Sequence, residues 1–202
     1  MRKPTLLALV FAVILFAGSV AQAGQIVLAA GSTWEYTFAD PTGSASWNTT
    51  TGGWATGLAP FGNNIGGGYD PLFNYNTLWN ADGSDGDDLW VRQSMNLTGF
   101  DLNSVSWYLG VDNGYKLYVN GTQIAGANGE GYTYRWEYSG NIASALLNPG
   151  VNVIAVALED HGGLTAFDMQ VTATAVPDGG ATLMLLGGAM VGLGALRRKF
   201  RG

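Results

Sequence analysis

Apolar and polar residues alternate along much of this chain in the period-two pattern of β-strands. The segment 105–111 places an apolar side chain at every second position, from Val105 to Val111. The segment 151–158 is almost continuously apolar, which is typical of a strand covered on both faces. Comparable patterns predict further strands at 34–38, 89–97, 115–119, 122–124, 132–138 and 167–173. Eight short strands predict an all-β domain.

Turn-forming residues separate the predicted strands. An Asn-Gly pair at 120–121 predicts a tight hairpin turn, because both residue types accept a positive φ. Helical turns are predicted only at 142–147, where an Asn-Pro-Gly sequence ends them, and the segment 42–88 reads as long loops rich in Gly, Asn and Asp. This arrangement favours a β-sandwich, most simply a jelly roll.

The first 23 residues have the three parts of a secretory signal peptide. Residues 2–3 are basic, residues 6–17 form an apolar core, and Ala21 and Ala23 provide a cleavage site with small side chains. We expect cleavage after Ala23 and export of the remaining chain.

A second apolar run, 181–196, lies near the C-terminus and stops at a basic cluster that begins with Arg197. Sixteen residues in a helix span about 24 Å, a little less than the ~30 Å hydrocarbon core, and flanking residues or local thinning close the difference. The basic cluster favours a cytoplasmic C-terminus. The run therefore predicts a transmembrane helix that holds the chain in the inner membrane before processing.

A short motif precedes this run: Val176, Pro177, Asp178, Gly179 and Gly180. Motif, apolar span and basic stop together resemble PEP-CTERM sorting signals, with Val-Pro-Asp-Gly-Gly in place of Val-Pro-Glu-Pro. The resemblance implies processing by an exosortase-like enzyme and delivery to the cell surface or the extracellular matrix. A likeness to the tails of rhomboid-protease substrates is weaker, because no Ser-rich linker precedes the motif. The chain thus divides into 1–23, a working domain at 24–175, and a sorting signal at 176–202.

Charge and cysteine content limit what the domain can do. Residues 24–175 contain 14 acidic and three basic residues, which gives a net charge of −11. Nucleic acid is excluded as a partner, because phosphate binding needs clustered Lys and Arg. The chain has no cysteine, so its stability and chemistry use neither disulfides nor thiols.

Four segments carry a further resemblance. The segments 57–62, 89–92, 111–121 and 148–156 resemble galactose-binding-like jelly rolls, and the resemblance covers about 54–173. Modules of this kind accompany many bacterial glycosidases and surface proteins. The matching positions are framework residues, so the resemblance implies the fold and does not identify a ligand.

The segment 82–88 is a candidate calcium site. Carboxylates are available there, and glycines at 83 and 86 let backbone carbonyls turn towards a cation. Calcium prefers six to eight oxygen ligands. The candidate ligands are Asp82, Asp85 and Asp87. The alternative is a solvated acidic turn without a metal.

Aromatic side chains in loops are candidate platforms for sugar rings, whose C–H faces pack on π surfaces. A polar pair that follows the buried strand 151–158 can contribute hydrogen bonds to a sugar. The candidates are Trp54, Tyr69, Trp79, Arg135, Trp136, Asp160 and His161. The alternative for each aromatic residue is a place in the core, and for the His an ordinary loop position.

The sequence predicts an exported, surface-sorted, non-catalytic protein that binds carbohydrate in an exopolysaccharide or biofilm matrix. A structural matrix or adhesion protein without a specific ligand is the alternative. A hydrolase is less favoured, because the chain lacks a nucleophile elbow, an HExxH motif and a P-loop. A glycoside hydrolase would need two carboxylates facing each other, and Glu159 and Asp160 are the first to consider.

Overall fold

A computed structural model describes residues 24–63, 74–129, 135–177, 187–193 and 197. In these residues, twelve strands form two six-stranded sheets. Sheet 1 contains β1 (Gln25–Leu28), β4 (Phe61–Gly62), β5 (Thr77–Leu78), β7 (Ser106–Asp112), β10 (Tyr138–Asn141) and β12 (Ala166–Ala173). Sheet 2 contains β2 (Thr33–Thr37), β3 (Ala55–Leu58), β6 (Leu89–Asn96), β8 (Gly114–Val119), β9 (Thr122–Ala127) and β11 (Val151–Glu159).

The strand order in each sheet mixes neighbours from distant parts of the chain. Sheet 1 has the order β10-β7-β12-β4-β5, with β1 also paired to β12, and sheet 2 has the order β3-β2-β6-β11-β8-β9. Every pair is antiparallel except β4 with β5. The chain crosses between the sheets repeatedly, so the prediction of a jelly-roll β-sandwich is confirmed.

The core lies between the sheets, where each strand presents every second side chain. Trp34 of sheet 2 meets Phe167 of sheet 1 edge to face, with ring centroids 5.3 Å apart. Phe61 lies beside Phe167 and is also fully buried. Leu117 and Ile154 extend the same core along β8 and β11. The alternating pattern in the sequence thus marks the inward faces.

A second, smaller apolar cluster lies on the outer face of sheet 2. The segment between β2 and β3, residues 38–54, covers part of this face. Trp47 from this covering segment packs against Trp90 and Ala155, and its ring meets that of Tyr118 edge to face at 5.1 Å. This face of the sheet is therefore partly buried, which explains why β11 reads as almost continuously apolar.

Most predicted elements agree with the observed ones to within two residues, but two predictions are wrong. The segment 42–88, predicted to form long loops, contains β3, β4 and β5. The helical prediction at 142–147 corresponds to a 3-10 turn at Ser144–Leu146. The predicted strand 132–138 is not observed: residues 135–136 form a turn, and β10 begins only at Tyr138. Trp136 has φ +65°, a left-handed conformation that a strand does not accept. The rest of that prediction lies outside the described residues.

We call the two ends of the sandwich the tail end, from which the C-terminal segment leaves, and the acidic end, where most of the loop carboxylates lie. At the tail end, β12 finishes at Ala173, Phe100 bridges to Ala175, and the Val176 N–H donates to the Gly99 carbonyl at 2.7 Å. At the acidic end, the loops 79–88 and 160–165 and the β7–β8 turn meet.

The predicted targeting segments lie largely outside the described residues. This applies to the signal peptide, with Ala21 and Ala23, and to Asp178, Gly179 and Gly180 of the sorting motif. Residues 187–193 of the predicted transmembrane run are helical. No helix within the described part of the chain is both long and apolar enough to cross a membrane.

Candidate functional site

The residues predicted to bind carbohydrate do not converge on one site. Trp79, Asp160 and His161 lie at the acidic end, Trp54 lies on the outer face of sheet 2, and Arg135 and Trp136 lie beside sheet 1. Tyr69 lies outside the described residues.

Trp79 does not present a sugar platform. Its side chain is fully buried, and its indole N–H donates to the Asp87 carbonyl at 2.5 Å. The Trp79 carbonyl in turn accepts the Thr165 hydroxyl at 2.8 Å. The expectation for Trp79 is therefore corrected: its ring is part of the core, and its hydrogen bond to Asp87 fixes the loop 79–88 to that core.

Asp160 is the centre of a buried polar network. One of its carboxylate oxygens accepts the Asn80 amide at 2.7 Å and the Asp87 N–H at 3.3 Å, and the other accepts the Gly162 N–H at 2.9 Å. Burial raises the pKa of Asp160, and the two backbone N–H groups offset part of this shift. The carboxylate is thus used to order the loops 79–88 and 160–165, so it faces protein rather than a ligand.

The prediction of a calcium site stays a prediction. Among the described residues, no three His, Asp or Glu side chains are close enough together to hold a metal ion. Asp82 instead accepts the Ser84 N–H at 3.0 Å and the Ser84 hydroxyl at 2.7 Å. Asp85 and Asp87 have exposed side chains in the same loop.

The two aspartates Asp82 and Asp160 shift in opposite directions, which predicts opposite pH dependence. The Ser84 hydrogen bonds lower the pKa of the exposed Asp82. A lowered pKa stabilises the fold above the unfolded value of about 3.9 and this contribution is lost as the pH falls. A raised pKa, as at Asp160, contributes stability at low pH that is lost as the pH rises through it.

We therefore expect the free energy of unfolding of the wild type to rise relative to that of Asp160→Asn as the pH falls from 7 towards 4. Relative to Asp82→Asn, the free energy of unfolding of the wild type should instead fall below about pH 4. Urea unfolding at a series of pH values, followed by tryptophan fluorescence, measures both differences. Parallel curves for the two variants would contradict the assignment.

Arg135 and Trp136 belong to a clamp on the outer face of sheet 1. Arg135 forms an ion pair with the fully buried carboxylate of Asp168, which also accepts the Gly31 N–H at 3.0 Å and the Met169 N–H at 2.8 Å. The Arg135 guanidinium lies over the Trp136 ring, 4.7 Å from its centroid. The Arg135 guanidinium therefore binds Asp168 and the Trp136 ring within the protein. The predicted role of Arg135 and Trp136 in sugar binding stays a prediction.

Trp54 lies on the outer face of sheet 2 beside a buried ion pair. The Arg92 guanidinium covers one face of the Trp54 ring at 3.8 Å. Arg92 also donates to Glu35 at 2.9 Å and to the carbonyls of Trp47 and Gly52 at 3.1 and 2.7 Å. Glu35 accepts the Gly52 N–H as well, at 2.6 Å. These bonds fasten the covering segment to β2 and β6.

A cavity of about 180 Å³ opens between the covering segment and the start of β2. Trp34 and Gln93 also border it, although the Trp34 ring itself lies in the core between the sheets. The remaining lining is polar, from Thr, Ser, Glu and Arg side chains. Such a cavity is suited to hold water.

A larger groove of about 380 Å³ lies over β8 and β9, next to the acidic end. Its lining mixes donors and acceptors: Tyr115, Lys116, Gln123, Gly126, Ala127, Asn128 and Glu159. Lys116 and Glu159 form an ion pair at 2.5 Å, and the lysine side chain is 50% exposed. Position 126 has little room for a side chain, because a Cβ at Gly126 would lie 3.0 Å from the Tyr115 carbonyl oxygen of the neighbouring strand.

Among the predicted residues that the structure describes, His161 lies beside a residue that lines this groove, Glu159. The His161 ring atom Nε2 lies 4.0 Å from Glu159 Oε2, and the backbone N–H of His161 donates to Asn113 Oδ1 at 3.0 Å. The Glu-Asp-His sequence at 159–161 had predicted polar, ligand-binding residues in this part of the chain. Lys116, Gln123 and Asn128 were missed, because single polar residues in a strand and its following loop carry no pattern of their own.

Comparison with known proteins identifies the C-terminal segment. Residues 175–200 match the family described as the VPDSG-CTERM motif. This family is a variant of the PEP-CTERM sorting signals, so the resemblance stated from the sequence is confirmed. No curated protein matches the chain significantly in sequence.

Solved structures are similar to the domain in fold. A beta-glucuronidase from an uncultured Clostridium sp. is 11% identical with a TM-score of 0.51, over 78% of this chain and 30% of that enzyme. The Ruminococcus gnavus beta-glucuronidase is 14% identical with a TM-score of 0.52, over 77% of this chain and 29% of the enzyme. The same enzyme with D-glucuronic acid gives 13% and 0.52, over 77% and 30%.

This chain spans about 30% of the length of those enzymes, and at such low identity the likeness shows the fold alone. A signal that directs export and surface sorting follows directly on the domain. The described domain is therefore a jelly-roll β-sandwich, and residues 175–200, which follow it, form a sorting signal of the VPDSG-CTERM type.

Proposed function

We propose that this surface-sorted protein binds a neutral glycan, without catalysis, in the groove over β8 and β9. The observation that carries the proposal is the composition of the groove: an exposed ammonium, a carboxylate and two amides around an open floor. Sugar hydroxyls both donate and accept hydrogen bonds, so a mixed lining of this kind suits them. The volume also falls within the usual range for ligand pockets, about 300–1,000 Å³.

Charge favours a neutral sugar over an acidic one. The charge of Lys116 is already balanced by Glu159, and the rest of the domain is strongly acidic. A sugar carboxylate entering the groove would be repelled by this field and would have to displace Glu159 from Lys116. Secreted bacterial polysaccharide of low charge is accordingly the proposed partner in the matrix.

The arrangement of carboxylates supports a binding role rather than hydrolysis. Hydrolysis of a glycosidic bond needs two carboxyl groups on either side of the sugar. Glu159 pairs with Lys116, whereas Asp160 accepts three N–H groups inside the acidic end. The two carboxylates named from the sequence therefore bond to different partners and do not face each other across the groove.

We expect Gln123→Ala to weaken glycan binding about tenfold, which corresponds to the ~1.4 kcal/mol of one or two lost hydrogen bonds. The full chain in detergent is first screened against a glycan array that includes secreted polysaccharides, and the best ligand is then titrated by calorimetry. Gln170→Ala is the matched control, since Gln170 is a half-buried glutamine on β12 of the other sheet. It should leave the affinity unchanged.

Two outcomes would count against the proposal. A folded chain that binds no glycan on the array would leave the structural matrix role as the better explanation. Equal losses in Gln123→Ala and Gln170→Ala would place any binding site outside the groove.

A further inference from the structure

The two ends of the sandwich differ sharply in charge. The loops at the tail end comprise residues 97–105, 120–121, 142–150 and 174–177, all of them within the described chain. Their only charged side chain is that of Asp101. The loops and strand ends at the opposite end carry seven carboxylates, those of Asp82, Asp85, Asp87, Asp88, Asp112, Glu159 and Asp160.

Apolar side chains are exposed at the tail end. Ile26, Val151 and Val176 are 60%, 64% and 55% exposed, and they come from β1, β11 and the residues after β12. Ala143 and Pro149 are exposed in the loop before β11. Exposed apolar residues at an end with a single charged side chain, Asp101, mark an interaction surface.

The distance to the membrane is limited by the chain itself. The fold holds the chain as far as Val176, whose N–H is bonded to Gly99. Only residues 177–180 separate it from the apolar run 181–196. Four extended residues span at most ~14 Å, and the headgroup layer of each leaflet is ~5–8 Å thick. A tail inserted in the bilayer therefore keeps the tail end of the domain at the lipid surface.

We propose that, before processing, the tail end of the sandwich rests on the bilayer interface and the acidic end points away from it. The proposal rests on insertion of the sorting tail in the membrane. Charged groups are costly to bring into the interface, whereas Ile26, Val151 and Val176 gain from it. The glycan groove, which adjoins the acidic end, is thereby presented outwards.

A pair of exposed alanines at opposite ends allows a matched test, Ala143→Cys and Ala81→Cys. The chain has no native cysteine, so each variant takes up a single fluorophore. The full chain is reconstituted in vesicles of phosphatidylethanolamine and phosphatidylglycerol that contain lipids with nitroxide headgroups. Flotation of the vesicles reports insertion independently of the fluorophore.

We expect headgroup nitroxides to quench the label at position 143 several-fold more strongly than the label at position 81. Adding Val151→Glu should reduce quenching at position 143 while flotation is retained. Equal quenching at both positions in chains that float would overturn the proposed orientation of the domain on the bilayer, but not the insertion of the tail. Chains that fail to float would overturn tail insertion and with it the proposal, but would leave the glycan groove untouched.

Discussion

Arg92→Met is expected to lower the free energy of unfolding by about 3–5 kcal/mol, the usual cost of removing one partner from a buried ion pair. The Arg92 side chain is only 5% exposed and that of Glu35 20%. Methionine keeps much of the stem but leaves the Glu35 carboxylate and the carbonyls of Trp47 and Gly52 without their cationic partner. The covering segment should loosen, because three of its contacts with sheet 2 depend on this guanidinium.

The measurement is urea unfolding followed by tryptophan fluorescence, with Lys116→Met as the matched control. Lys116 forms an ion pair on the same face of sheet 2, but it is half exposed, so its loss should cost about 0–1 kcal/mol. The double variant Arg92→Met with Glu35→Met should recover part of the stability, since no unpaired charge remains. Similar losses at Arg92 and Lys116 would refute the special role of the buried pair.

This ion pair also shows what the sequence could not predict. Arg92 is recognisable as one of three basic residues in the domain, and its strand was predicted. Its partner Glu35 is 57 positions away and lies opposite it only because β2 pairs with β6. Local patterns contain no information on which strands become neighbours. The contacts of Arg92 with the covering segment therefore become apparent only from the topology.

The strands themselves were predictable where one physical signal dominated. Burial of one face imposes alternation, and β12 follows that pattern almost to the residue. Cover on both faces makes β11 almost continuously apolar, which was equally recognisable. The segment 132–138 misled because its aromatic alternation imitates a strand. There Trp136 adopts φ +65° and Arg135 pairs with Asp168 of β12, and neither feature can be read from an alternating pattern.

The sorting signal was predictable for a different reason. Its motif, apolar run and basic stop form a linear pattern, so it can be recognised from the sequence without knowledge of the fold. The groove is the opposite case: its polar residues come from β8, β9, the residue after β9 and the end of β11. Only the Glu159 side could be inferred, from its place in a Glu-Asp-His sequence.

Trp79→Ala is expected to lower the free energy of unfolding by about 3–5 kcal/mol, as for other fully buried large side chains. The variant loses the packing of the indole ring in the core and its hydrogen bond to the Asp87 carbonyl. Trp136→Ala should cost about 1 kcal/mol or less, because that ring is half exposed and packs under the Arg135 guanidinium. Urea unfolding of both variants measures the difference.

Glycan binding separates the two roles that a loop tryptophan can have. In the folded fraction, Trp79→Ala should retain the affinity of the wild type, because the buried ring offers no surface to a sugar. Trp136 lies beside sheet 1, so its loss should also leave binding in the groove over β8 and β9 unchanged. A stable Trp136→Ala chain that no longer binds would move the glycan site to the Arg135–Trp136 clamp, and the proposed groove would then be wrong.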